Sequence, residues 1–137
     1  QLYSATSPMY AQFEHCIPEL WLLQAGGRMS FRFVGTAVAL YDLLGPEGGM
    51  VQVVLDDQAT HHQRFDPYCT WTRLAPLWIG EQLPDGPHTV AVEVLPDLFD
   101  KRCILGEESR QHFDGHPEKY ADFVWYAAAI LVVGELL

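Results

Sequence analysis

Apolar and polar residues alternate with a period of two through most of this chain, and that alternation limits the fold more than any other feature. In "MSFRFVG", Met29, Phe31 and Phe33 share one face while Ser30 and Arg32 share the other. "TAVALYDLLG" sets Val38 and Leu40 against Ala37, Ala39 and Tyr41, and "MVQVVLDD" sets Val51, Val53 and Leu55 against Gln52 and Val54. The Gly- and Pro-rich connection "GPEGG" (45–49) predicts that these two runs form an antiparallel pair, closed at its far end by Asp56 and Asp57. "EQLPDGPHTVAVEVLP" carries turn chemistry at Pro84-Asp85-Gly86, followed by Val90, Val92 and Val94 alternating with Thr89, Ala91 and Glu93. "DFVWYAAAILVVGEL" reads as a long strand from its β-branched and aromatic content, with a helix through Ala127–Ala129 as the rival.

Two regions break the pattern. "LAPLWIGEQL" (74–83) is either a strand interrupted at Pro76 or a short helix after it. Residues 96–122 hold much of the charge and little periodicity, which predicts a long, mostly irregular excursion with one helical turn around Glu107 to Gln111. Short strands, turn signals and no βαβ units give an all-β fold, an antiparallel β-sandwich or jelly roll. At 137 residues the chain suits a single domain, 1–137, and its opening at Gln1 rather than Met reads as an excerpt from a longer polypeptide.

Charge narrows the partners. Eight basic against eighteen acidic residues give a formal charge of -10, which repels nucleic acid and anionic lipid headgroups. No apolar run approaches the roughly 18 residues of a membrane-spanning helix. Neutral or cationic ligands and other proteins remain. Cys16, Cys69 and Cys103 include no CxxC pair, and no cofactor motif is present.

No catalytic constellation stands out. Ser4, Ser7, Ser30 and Ser109 all lie outside a nucleophile-elbow setting. Cys69 with a histidine is a thiolate pair on paper, but a lone buried cysteine is more often an inert small hydrophobe. His61 and His62 would point to opposite faces of a strand, and Gly115 and Pro117 oppose a helix that would bring His112 and His116 together, so neither pair makes a metal site. Asp56, Asp57 and Asp85 are ordinary turn residues rather than a calcium set.

The segment "RFDPYCTWTRL" (64–74) is unlike a simple turn. Tyr68 and Trp71 supply flat apolar faces, and Arg64, Asp66 and Arg73 supply directed hydrogen bonds, a mixture suited to polyhydroxylated ligands. The alternative is structural: an arginine pairs with Asp66 to staple a corner, and the aromatics are core. Trp78, Trp125 and Tyr126 lie within apolar runs and are predicted to be core.

"FRFVGTAVALYDLLGPEGG", "VVLDD", "RFDPYCTWTRL", "LPDGPHTVAVEV", the "DK" pair before "IL" at 100–105 and the closing "VWYAAAILVVGEL" together resemble the N-terminal β-sandwich region of bacterial SGNH/GDSL-type esterases. The resemblance runs from about Leu20 to the C-terminus. It implies a non-catalytic accessory module beside a catalytic domain that acts on acylated carbohydrate. The Gly-Asp-Ser nucleophile block and the late Asp-x-x-His block of those esterases are absent, so no catalytic residue carries over. Carbohydrate and a neighbouring catalytic domain are the expected partners, with Arg64, Asp66, Tyr68, Trp71 and Arg73 as the expected ligand contacts. The alternative is a purely structural or docking sandwich marked by an exposed apolar patch.

Overall fold

The computed structural model describes residues 20–137. Among these residues seven strands pair antiparallel: β1 (Trp21–Leu23), β2 (Arg28–Leu44), β3 (Met50–Leu55), β4 (Gln58–Gln63), β5 (Arg73–Gly80), β6 (Gly86–Val94) and β7 (Trp125–Leu136). The order is β1-β7-β2-β6-β3-β4, with β5 joined to β2. The fold is all-β and sandwich-like, as the alternation predicts.

β2 organises the sandwich. It is 17 residues long and merges the "MSFRFVG" and "TAVALYDLLG" runs into one strand. Along one edge it pairs with β6 through residues 28–35 and then with β5 through 38–44, while β7 follows its other edge. The change of partner occurs at a bulge between Val38 and Ala39, beside a second irregularity on the β7 side between Gly35 and Ala37. Gly35 and Gly134 face each other at this bend. A Cβ on Gly35 would lie 1.9 Å from the Val133 carbonyl oxygen, and Gly134 sits at φ +139°. Only glycine suits either position.

The resulting layers, β4-β3-β6 with the first half of β2, and β1-β7 with the second half of β2 and β5, enclose one main core. Phe33, Val51, Val53, Val90, Val92 and Val94 come from the first layer, and Leu23, Val38, Leu40, Leu77, Trp125 and Ala127 from the second. These are the inward positions of the period-two pattern.

Three expectations are corrected. β2 and β3 do not pair, because the second half of β2 already has partners on both edges, and β3 joins β4 and β6 instead. The "GPEGG" glycines serve close packing rather than a hairpin. A Cβ on Gly48 would meet the Arg64 carbonyl oxygen at 1.9 Å, and Gly49 donates its N–H to the Val124 carbonyl at 2.9 Å. Trp78 is not core but 66% exposed on the outer face of β5. β5 itself is unbroken through Pro76, which it tolerates because β2 is its only strand partner among the described residues.

The 96–122 excursion is less irregular than its composition implies. It contains α1 (Lys101–Ile104), α2 (Arg110–Gly115) and a 3-10 turn (Pro117–Tyr120). Its Leu105 and Tyr120 are buried with Leu44, Phe65 and Cys69 in a separate small core, against which Phe99, Ile104 and Phe113 pack. The aromatic content of the excursion therefore serves to anchor it against the 64–74 segment.

Candidate functional site

The 64–74 segment leaves β4 and leads into β5, and its side chains divide into an inward and an outward set. Arg64 turns inward. Its Nε donates to Asp42 Oδ2 at 2.6 Å and its Nη2 to Asp42 Oδ1 at 2.7 Å. Asp42, on β2, is completely buried, and its Oδ2 also accepts the Trp125 indole N–H at 2.7 Å. Arg64 Nη2 further reaches the Pro76 carbonyl at 3.4 Å. This fork ties the end of β4 to β2, β5 and β7. Arg64 is thus tied into the fold, with 12% of its side chain exposed.

Asp66 builds the turn. Its Oδ1 accepts the Tyr68 N–H at 2.9 Å and the Cys69 thiol at 3.3 Å, while Arg73 holds its Oδ2 in a short ion pair. Arg73 Nη1 also donates to the Tyr68 carbonyl at 3.4 Å. Cys69 is fully buried beneath the turn, and burial pushes its thiol up to about 11. At neutral pH it is therefore a protonated, inaccessible thiol rather than a nucleophile.

Tyr68 and Trp71 point outward, 71% and 60% exposed, and the Arg73 guanidinium lies 5.8 Å from the Trp71 ring centroid. Asp66, Tyr68, Trp71 and Arg73 come together, with the charged pair as the frame and the aromatic pair as the surface. The staple expected from the arginines exists between Arg73 and Asp66, but the aromatics it frames are not core.

Two features of this region escape a reading by composition. Asp42 is a lone acid in the apolar run "LYDLL", and that isolation was the available signal for a buried partner. Lys101 is only 3% exposed. Its Nζ donates to the Pro46 carbonyl at 2.7 Å and, in a short contact, to the Asp122 carbonyl. The rings of Phe123, Phe65 and Phe99 surround it at 4.0, 5.3 and 5.9 Å. Burial pushes its pKa down to about 8. It fastens the excursion to the "GPEGG" connection and underlies the small core beside the turn.

The histidine pairs serve local structure. His61 meets Gln52 at 3.2 Å and His62 meets Thr60 at 2.8 Å, while His112 Nδ1 meets the Tyr120 hydroxyl at 2.6 Å. Two shallow surface hollows lie over the outer side of β2, β6 and β3. Arg28, Ser30, Gln52, Ala91 and Glu93 line the first, with no aromatic ring and no residue of the 64–74 segment.

No family model and no curated protein matches this chain by sequence. Solved structures match it by fold. A two-domain esterase active on acetylated mannans, co-crystallised with mannopentaose, aligns over 96% of this chain at 13% identity and a TM-score of 0.60. A family two carbohydrate esterase from Clostridium thermocellum, in complex with cellohexaose, aligns over 100% at 10% identity and a TM-score of 0.52. The matched regions are 31% and 33% of those chains, so this chain spans about a third of their length. At such identities the likeness is one of fold: this β-sandwich is similar to a portion of larger carbohydrate esterase chains.

Proposed function

We propose that this chain is a non-catalytic accessory module of a carbohydrate-active esterase of the SGNH type, and that it contacts carbohydrate through the turn at 66–73. The observation that carries the reading is the pair Tyr68 and Trp71. They are large aromatics at 71% and 60% exposure on a turn that Asp66 and Arg73 hold in place. Aromatic faces stack on the apolar face of a pyranose ring, and a turn already ordered loses little further entropy on binding. Arg73, beside Trp71, has further N–H groups to offer a hydroxyl. Arg64 supports the turn from below and is not a contact in this reading.

The non-catalytic part of the proposal rests on the absent esterase blocks and on Cys69, whose buried, protonated thiol is unsuited to nucleophilic attack. The reaction is assigned to a neighbouring catalytic domain. The fold likeness to portions of carbohydrate esterases supports that setting.

The test is an NMR titration with mannopentaose and with cellohexaose, following the tryptophan indole N–H signals. Saturable shifts at Trp71, with Trp125 unmoved, are expected, and Trp71→Ala abolishes them while the remaining spectrum stays folded. An indole spectrum unmoved by both glycans refutes the sugar contact and leaves a structural or docking sandwich.

A further inference from the structure

The two layers are finished differently on their outer sides. Over β2, β6 and β3 the outward rows carry Arg28 beside Glu93 beside Gln52, and Arg32 beside Thr89. This is the ordinary chemistry of a sheet that faces water. Over β5, the second half of β2 and β7 as far as Val133, the outward rows contain no charged side chain. Trp78 and Leu131 flank Ala39, Pro76 and Ala129 flank Tyr41, and Leu74 lies beside Leu43, which is itself buried with Leu20, Val124 and Tyr126. Trp78 is 66% and Val133 63% exposed, and Tyr41, Leu74 and Leu131 are each more than a third exposed. Single exposed apolar residues are ordinary, but a continuous patch across three strands marks an interaction surface.

Size and charge select the occupant. β5 is eight residues long. At about 3.3 Å per residue and about 4.8 Å between strands, the three-strand patch covers on the order of 400 Å². A stable complex of free partners covers about 800 Å² on each side. Interfaces between domains of one chain total about 600–1,500 Å², half of it on each side. The patch is therefore small for two free molecules and sufficient for a tethered neighbour. A second copy is disfavoured again by charge. Packed sheets lie about 10 Å apart, near the screening length of about 8 Å, and each copy carries a formal charge of -10. Of the charged residues next to the patch, Glu81 after β5 and Glu135 within β7 are exposed acids, whereas Arg73, at the start of β5, is paired with Asp66.

We propose that the outer face of β5, β2 and β7 seats a second folded domain of the same polypeptide, through a flat apolar patch edged by lysine or arginine. The identity of that domain as catalytic rests on the accessory-module reading above, but the docking does not depend on sugar binding. The patch runs from Leu74, near the turn, to Trp78 at the other end of β5, so Trp78 and Trp71 are the reporters that separate the two surfaces.

The experiment is hydroxyl-radical footprinting of residues 1–137 alone and of the polypeptide as its source produces it. Trp78, Tyr41 and Leu131 are expected to oxidise several-fold more slowly in the complete polypeptide, with Trp71 unchanged in the absence of glycan. Trp78→Lys in the complete polypeptide should remove the protection of Leu131 and increase the radius of gyration. The outward side chain makes this change compatible with folding, which circular dichroism checks. Equal oxidation of Trp78 in both samples overturns the proposal. So does a native polypeptide with no further folded domain, or protection of residues 1–137 alone that grows with their concentration, which would identify a second copy instead. Glycan shifts at Trp71 decide the sugar reading independently of all these outcomes.

Discussion

Asp42→Leu is the most informative single change. The carboxylate it removes is completely buried and accepts three hydrogen bonds, two from Arg64 and one from Trp125. The Arg64 side chain is only 12% exposed, so water replaces little of what it loses. Removing one partner of a buried ion pair costs about 3–5 kcal/mol, chiefly because the other charge is left buried without compensation. With a urea m-value of about 1.5 kcal/mol/M, the midpoint should fall by about 2–3 M at unchanged slope. The control is the double variant Asp42→Leu/Arg64→Met, which removes both charges. It leaves the Trp125 indole N–H unsatisfied, at about 1–3 kcal/mol, and removes the long Arg64 bond to the Pro76 carbonyl, but no buried charge is left unpaired, so it should be more stable than Asp42→Leu alone. Urea unfolding followed by far-UV circular dichroism measures both. A loss below about 1 kcal/mol for Asp42→Leu, or strict additivity of the two single changes in the cycle, would show that the fork is not a coupled buried pair.

Three further outcomes follow from other contacts. Both ring nitrogens of His88 face acceptors, Asp56 Oδ2 at 2.9 Å and the Pro84 carbonyl at 2.7 Å, an arrangement satisfied by the doubly protonated ring. The bond to Asp56 foremost, then the one to Pro84, raises the His88 pKa, and the bond to His88 together with the Thr89 N–H lowers that of Asp56. The histidine contribution to stability is therefore full below the unfolded value near 6.5 and is lost as pH rises through the raised folded pKa; that of Asp56 is full above about 3.9 and is lost as pH falls through its lowered one. His88→Gln should flatten the alkaline side of the stability profile, and an unaltered profile would contradict the pairing. Amine-reactive labelling at neutral pH read by mass spectrometry should modify exposed Lys119 and spare Lys101 until urea unfolds the chain, whereas equal labelling of both would place Lys101 outside its aromatic cage. Gly134→Ala forces a Cβ to within 1.9 Å of the Val34 carbonyl oxygen at φ +139° and should cost about 2 kcal/mol or more in thermal or urea unfolding. A neutral effect would mean that the bend can be relieved without glycine.

What could be read along the chain was local. Alternation identified the inward residues of β3, β6 and the first half of β2, because side-chain direction in a strand repeats every two residues whatever the partner. The β-branched run after Trp125 likewise marked β7. The choice of partner was not local. "GPEGG" looked like hairpin chemistry, but Gly48 and Gly49 are required by the close approach of the Arg64 and Phe123 backbones from distant parts of the chain. The charge-rich 96–122 stretch looked irregular because its short helices gain their stability from Phe65 and Leu44, far away in sequence, rather than from helical periodicity.

The 64–74 segment shows the same division. Its composition alone marked it as unusual and supplied both the staple and the platform as readings. Tertiary packing assigned the parts: Arg64 turned inward because β2 offered a buried carboxylate, Asp66 and Arg73 paired across the turn, and Tyr68 and Trp71 remained outside. Trp78 is the plainest limit. An apolar residue in an alternating strand must face one side or the other, and both faces of β5 are apolar in sequence. Only the position of that strand in its layer decides which face meets the core. Burial is a property of the assembled layers, whereas alternation is a property of the chain.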